Sequence, residues 1–256
     1  MSKCFGFSIF MPDTKISVIY EDEFVLVLNK PPGLMVHPDG HSHEQTLSDW
    51  IYEHYPIARS VGEPLQLSSG EKIERHGIVH RLDRETSGVI AVAKTQEMFL
   101  SLKEQFQHRS VRKVYNAFLY GVLKERTGSV NAPIGKSRSD FRKYSAERGA
   151  GGVLREALTE YTLLTQGSEA AFVEVRPKTG RTHQIRVHFK ALGHPVICDK
   201  LYAPRRLCIL GFTRLALHAR MLVFTHRDGA TIAAEAPLPP DFEHALLEIN
   251  REPVVT

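Results

Sequence analysis

Residues 78–88, IVHRLDRETSG, set one acid, Asp83, between Arg81 and Arg84, with His80 just upstream and apolar pairs (Ile78-Val79, Val89-Ile90) on either side. A carboxylate between two arginines is most often half of a surface ion pair, which contributes little. Asp83, however, precedes SGVIAVAKT (87–95), a near-continuous apolar run that reads as a buried strand. That places it at a sheet edge or cleft. An arginine within about 4–6 Å would favour its charged form. An ionised, oriented carboxylate is a nucleophile or an electrostatic stabiliser, not a general acid.

A second cluster lies in RTHQIRVHFKALG (181–193). Helical spacing over 182–192 puts His183, Arg186 and Lys190 on one face and Ile185, Phe189 and Leu192 on the other. Arg181 sits at the helix start and Gly193 at the C-cap. The plain reading is a solvated helix face. Arginines near a helix N-terminus, together with the basic segment GKSRSDFRKYSAERGAGG (135–152), argue instead for phosphate contacts. Other signals fail on inspection. APIGKS would need glycine at position 130 to be a phosphate loop, and Val130 stands there. His37, His41 and His43 have no acid or thiol to complete a metal set and read as loop histidines. Asp83 and Glu85 are a weak glycosidase pair, because such carboxylates normally come from separate elements.

The elements that must position these residues follow from periodicity. ISVIYEDEFVLVLNKPPG gives two strands, about 16–20 and 24–29, the second stopped by Pro31-Pro32-Gly33. TLSDWIYEHY is a short helix within an otherwise irregular stretch, 38–76. Thr95 caps a helix that buries Phe99, Leu102 and Phe106. Strands follow in RKVYNAFLYG (112–121), REALTEYTLLTQ, AAFVEVRP and LALHARMLVFTH. A final helix carries Phe242, Ala245, Leu246 and Ile249 at i, i+3, i+4 and i+7. The segment 135–152 is the most loop-like. Many strands with interspersed helices, and no regular alternation, imply an α+β or mixed-sheet domain.

The totals agree with one globular unit. The chain has 256 residues, 42% hydrophobic and 24% charged, with a net charge of +4. That mildly basic balance permits a polyanionic partner without demanding one. Cys4, Cys198 and Cys208 are too few and scattered for a disulfide framework, so reduced cytosolic thiols are the simplest expectation. No apolar run approaches a membrane span. The start, MSKCFGFSIFMPDTK, lacks the small-residue cleavage pattern of a signal peptide.

HRLDRETSGVIAVAKT closely resembles the signature of the RluA-type pseudouridine synthases. VLNKPPGLMVHP (27–38), KVYNAFLYG (113–121), RPKTGRTHQIRVHFKALGHPVICDKLY (176–202) and RLALHARMLVF (214–224) are similar to further motifs of that family, in the same order. The resemblance implies the pseudouridine synthase fold, an α+β fold whose central mixed, mainly antiparallel sheet is flanked by helices and loops. It also implies an RNA partner, ribosomal or transfer, and no cofactor or metal. Asp83 would be the catalytic aspartate, Tyr115 the active-site tyrosine under the base, and Arg186 the basic partner of the aspartate. Arg81 would enter the RNA stack, Leu217 would wall the uracil pocket, and His80, Arg181, His183 and Lys190 would contact substrate. The first motif begins near residue 16, leaving no room for the S4-like RNA-binding domain of many relatives. The expected plan is thus an N-terminal extension, 1–15, and one catalytic domain, 16–256, acting as a cytoplasmic monomer. Target choice would fall to 39–76 and 135–152. The rivals are a non-catalytic RNA-binding or ribosome-assembly protein of the same fold and a hydrolase using Asp83 and Glu85.

Overall fold

A computed structural model of the protein describes residues 15–38, 44–66, 70, 72–147 and 150–251. His41 and His43, both expected as loop histidines, and Cys4 lie outside these residues. In chain order the elements are β1 (Ser17–Glu21), β2 (Val25–Lys30), α1 (Leu47–His54), β3 (Leu65–Gln66), β4 (Lys72–Ile73), β5 (Ser87–Ala93), α2 (Gln96–Gln107) and β6 (Arg112–Tyr120). Then come β7 (Thr127–Asn131), β8 (Ile134–Lys136), β9 (Tyr144–Ser145), β10 (Gly151–Arg155), β11 (Leu158–Gln166), β12 (Ala170–Pro177), α3 (Gln184–Ala191), β13 (Leu217–Thr225), β14 (Thr231–Glu235) and α4 (Pro240–Arg251).

A nine-stranded sheet runs β1-β2-β5-β13-β6-β12-β11-β7, with β14 also paired to β13. Only β5 and β13 run parallel, and their ladder has two residue pairs, His218 with Ser87 and Ala219 with Gly88. This short seam joins two halves with separate cores. On one side Phe118, Phe172, Phe189, Phe212 and Phe242 pack between β6, β12, α3 and α4. On the other, β2 and β5 bury residues on both faces, one against Met98, Phe99 and Leu102 of α2, the other against Leu47 and Ile51 of α1. Strands covered on both faces read as continuous apolar runs, and every residue of β5 is buried.

The seam also needs backbones to touch. A Cβ on Gly88 would lie near the Ala219 carbonyl oxygen, and Gly88 has φ +110°. Beside it the buried Ser87 hydroxyl meets His218 Nδ1 at 2.9 Å. Burial pulls the His218 pKa down to about 3, so the ring is neutral.

Local signals act as their chemistry dictates. Thr95 accepts from the Met98 N–H at the start of α2. Thr46 and Asp49 form a reciprocal capping box on α1. Gly193, φ +83°, closes α3 with its N–H on the Lys190 carbonyl. Three expectations are corrected. Segment 135–152 is not simply loop: β8 pairs with β9 and β10 in a small three-stranded sheet. Leu192, expected in the core, is 41% exposed, because α3 ends one residue earlier. Cys198 and Cys208 are joined in a disulfide, their Cα atoms 4.9 Å apart, where reduced thiols were expected; spacing along the chain gave no view of that approach.

Candidate active site

Asp83 stands on the turn entering β5, where the Thr86 N–H bonds the Asp83 carbonyl. The turn is propped from below by the NKPPG stretch. Lys30, fully buried, donates from Nζ to the carbonyls of Pro31, Leu34 and Arg84 at 2.7, 2.8 and 3.0 Å. Burial lowers its pKa to about 7, and the three carbonyls satisfy all three ammonium donors. Gly33 completes the lock: its N–H bonds the Arg84 carbonyl, and its own carbonyl accepts from Arg84 Nε. Arg84 is therefore structural, with its outer nitrogen on Glu44.

Across the seam, α3 delivers Arg186. Its Nη1 donates to Asp83 Oδ2 at 2.9 Å. Its other edge forks onto Asp199, Nε to Oδ2 at 2.7 Å and Nη2 to Oδ1 at 2.8 Å. Asp199 was not singled out in the sequence, although it lies inside the VICDKLY stretch. Its side chain is fully buried, and Oδ1 also accepts the N–H groups of Leu201 and Tyr202. The Tyr202 ring lies 5.1 Å from the guanidinium. Bidentate carboxylate pairing fixes the plane of an arginine. Two carboxylates raise its pKa against the opposing effect of burial. Arg186 is thus no part of a solvated stripe: it is a rigid cation with one free edge, aimed at Asp83.

His183 stands in the left-handed region, φ +56°, at the N-cap of α3. Its Nδ1 is 2.9 Å from the Tyr202 hydroxyl, and its Nε2 is 3.8 Å from Asp83 Oδ1. Burial lowers its pKa. Gln184 holds this entry in place: its side-chain carbonyl accepts from Thr179 Oγ1 and the Arg181 N–H, and its amide donates to Leu158 O and Thr159 Oγ1.

Tyr115 comes from β6, paired with Ala219 of β13, and touches the cores of both halves. Burial first, and the Asp83 charge second, push its phenol well above the usual range. Its hydroxyl has no hydrogen-bond partner among the described residues. Arg81 is exposed and has no acidic partner among the described residues. Asp83, by contrast, is 22% exposed at its side chain, so it is largely withdrawn from bulk water.

The other expected contacts are placed as follows. His80 turns inward: its Nε2 accepts the Ala91 N–H at 2.9 Å, its ring stacks on Phe106 at 4.6 Å, and burial lowers its pKa to about 3. One ring nitrogen is thus committed to β5. Leu217 is buried at 4% exposure in the cluster that Tyr115 packs against. Arg181 donates from Nε to the Glu156 carbonyl, and Lys190 pairs with Glu147. Glu85 is exposed, while the second acid near the site, Asp199, has its oxygens occupied behind Arg186. Neither makes a glycosidase pair with Asp83. No group of three or more metal-ligating side chains occurs among the described residues.

The chain as a whole is similar to known proteins. Residues 24–191 match the RNA pseudouridylate synthase family. An uncharacterized RNA pseudouridine synthase of Synechocystis is 36% identical, the match covering 92% of this chain and 69% of that one. Ribosomal large subunit pseudouridine synthase D of Pseudomonas aeruginosa is 37% identical, over 95% and 75% of the two chains. The structure of human RNA pseudouridylate synthase domain containing 4 superposes with a TM-score of 0.71 and 27% identity, covering 91% of this chain and 92% of that one. In motif order, in sheet topology and over most of its length, the chain belongs to the RNA pseudouridylate synthase family.

Proposed function

We propose that the protein isomerises specific uridines in structured ribosomal or transfer RNA to pseudouridine, with Asp83, Tyr115 and Arg186 at the reacting base. Residues 16–256 act as the catalytic domain, and the working form is a cytoplasmic monomer. The observation that carries the reading is the 2.9 Å contact between Arg186 Nη1 and Asp83 Oδ2, with Asp199 locking the arginine from behind.

The chemistry follows from that geometry. The target nucleotide must leave its stack, at a cost of a few kcal/mol. Stacking on an aromatic ring returns about 1–3 kcal/mol per base. Tyr115 supplies the ring, and Arg81, unpaired at the mouth, fills the vacated place in the RNA. Asp83, oriented by Arg186, acts at the sugar or the base as the N-glycosidic bond breaks. The uracil turns and rejoins the ribose through carbon. That carbon must then lose a proton while the freed ring nitrogen gains one, and the Tyr115 hydroxyl, a phenol throughout, is assigned to relay it.

Large-subunit ribosomal RNA is the first substrate to test, given the relative from Pseudomonas. An unmodified transcript of that RNA, and total RNA lacking pseudouridine, are incubated with the protein, and pseudouridine is mapped by chemical labelling. The native protein should install it at discrete sites, and Asp83→Asn at none while retaining RNA binding. Equal modification by the variant would remove the catalytic assignment; binding without modification would favour the assembly factor, and free uracil the hydrolase.

A further inference from the structure

Next to the candidate active site lies a cavity of about 530 Å³. Its walls are the small sheet's edge (Ser137, Arg138, Ser139, Lys143, Tyr144), Lys190 of α3 and the segment 201–206. It shares a wall with the active site. Tyr202 lines the cavity, carries the Arg186 guanidinium on its ring and bonds His183 through its hydroxyl. The Tyr144 N–H bonds the same hydroxyl, and its ring sits 6.0 Å from that of His183.

The lining is strongly biased in charge. Arg138, Lys143, Lys190, Arg205 and Arg206 face one acid, Glu147, and Lys190 already takes that acid. Lys143 leans on Asp140 at 3.6 Å, and Arg206 stacks over Tyr120. Arg138 and Arg205 are exposed and have no acidic partner among the described residues. The Ser137 and Ser139 hydroxyls bond each other at 3.0 Å, so one of the two, with the Ser145 hydroxyl, completes the donor set. Two unspent guanidiniums with these hydroxyl donors suit phosphodiester oxygens. The Cys198–Cys208 disulfide spans the segment that brings Arg205, so this wall is tied to Asp199 and through it to Arg186.

We propose that this cavity grips the sugar–phosphate backbone of the RNA strand next to the target uridine, chiefly through Arg138 and Arg205. The inference rests on the catalytic reading for its position, and on charge and geometry for its ligand. Phosphate contacts fix register without reading sequence, so the grip sets how far along the strand the target base falls over Tyr115.

The test uses the full chain carrying Asp83→Asn, so binding is read whether or not the reaction occurs. The probe is an unmodified transcript of large-subunit ribosomal RNA, and the dissociation constant is followed from 50 to 300 mM salt. Adding Arg138→Ala and Arg205→Ala together should weaken binding about tenfold and lower the slope of log K against log salt by about 1.4–1.8, since each lost phosphate contact is worth about 0.7–0.9. The remote pair Lys124→Ala and Arg126→Ala, which removes the same charge, should leave that slope within about 0.5 of its starting value. An unchanged slope in the first pair, or an equal fall in the second, overturns the proposal. So does binding of uridine monophosphate that Arg138→Ala and Arg205→Ala abolish without touching RNA affinity. A protein that makes no pseudouridine yet shows the predicted slopes would sink the catalytic reading and keep the cavity's ligand.

Discussion

Asp83 and Arg186 are separated by 103 residues, and the contact between them depends on a third side chain that touches no substrate. Asp199 holds both nitrogens on the far edge of Arg186, leaving Nη1 to point at Asp83. Replacing Asp199 by asparagine keeps the shape but removes the charge, and the guanidinium loses its fixed plane. A small misplacement of a catalytic group can cost about 10²-fold in rate. Asp199→Asn should therefore lower kcat by about 10–100-fold with KM for RNA little changed, as steady-state kinetics on a substrate transcript would read. Asp199→Ala should in addition cost about 3–5 kcal/mol of stability, because a buried arginine edge is stranded. A loss confined to KM would contradict this positioning role. That Asp83, Tyr115 and Arg186 come close together was legible in the chain, because motif and residue type agree. Asp199 was not, because its role appears only when the segment after α3 folds back on the helix. His80 misled for a related reason: nothing in HRLD tells which way the imidazole turns, and it turns into the sheet.

At the scale of elements, the site depends on a seam only two residue pairs wide. Gly88 faces the Ala219 carbonyl with no space for a side chain, in a backbone conformation that L side chains rarely adopt. Gly88→Ala should cost about 2–4 kcal/mol from overlap and backbone strain together. Gly33→Ala, at φ +83° but in open space, should cost only about 1 kcal/mol. Urea unfolding at unchanged slope would measure both, and equal costs would show that the seam can spread. The long strands β2, β5, β6, β11, β12 and β13 and the helices were readable, because β5 is uniformly apolar and α2 and α4 keep a clean helical period; β7 and β14 were not. Nor were the strand partners. No local signal says that β5 pairs in parallel with β13, 131 residues on, or that the basic segment after β8 folds into a second small sheet. Such pairings are decided by which apolar faces remain uncovered once the hairpins have formed.

For the molecule as a whole, acid is a specific threat. His218, fully buried, has its pKa lowered to about 3, and burial lowers His80 to about 3 and His37 to about 4. Each is neutral when folded and titrates near 6.5 when unfolded. The unfolded chain thus takes up protons first. The stability these residues contribute is complete above pH 6.5 and is lost as pH falls from there towards 3–4. Between pH 6 and 5 most carboxylates remain ionised in both states, so the histidines dominate. The unfolding free energy should fall across that interval. His218→Gln should flatten the slope by about one proton, or about 1.4 kcal/mol per pH unit. Chemical denaturation at pH 7, 6 and 5 measures this, and a slope indifferent to His218 would show that the ring is reached by water.

The interlock between Lys30, the Arg84 carbonyl, Arg186 and Asp199 also has a meaning in time. A ribosome releases the chain from its first residue onward, so Asp83 emerges long before its arginine, and the arginine before its clamp. Until residue 199 is out, Asp83 is an ordinary wet acid on an unfinished sheet. The nascent polypeptide is therefore chemically silent towards the RNA around it, and reactivity arrives late, as a property of the finished chain.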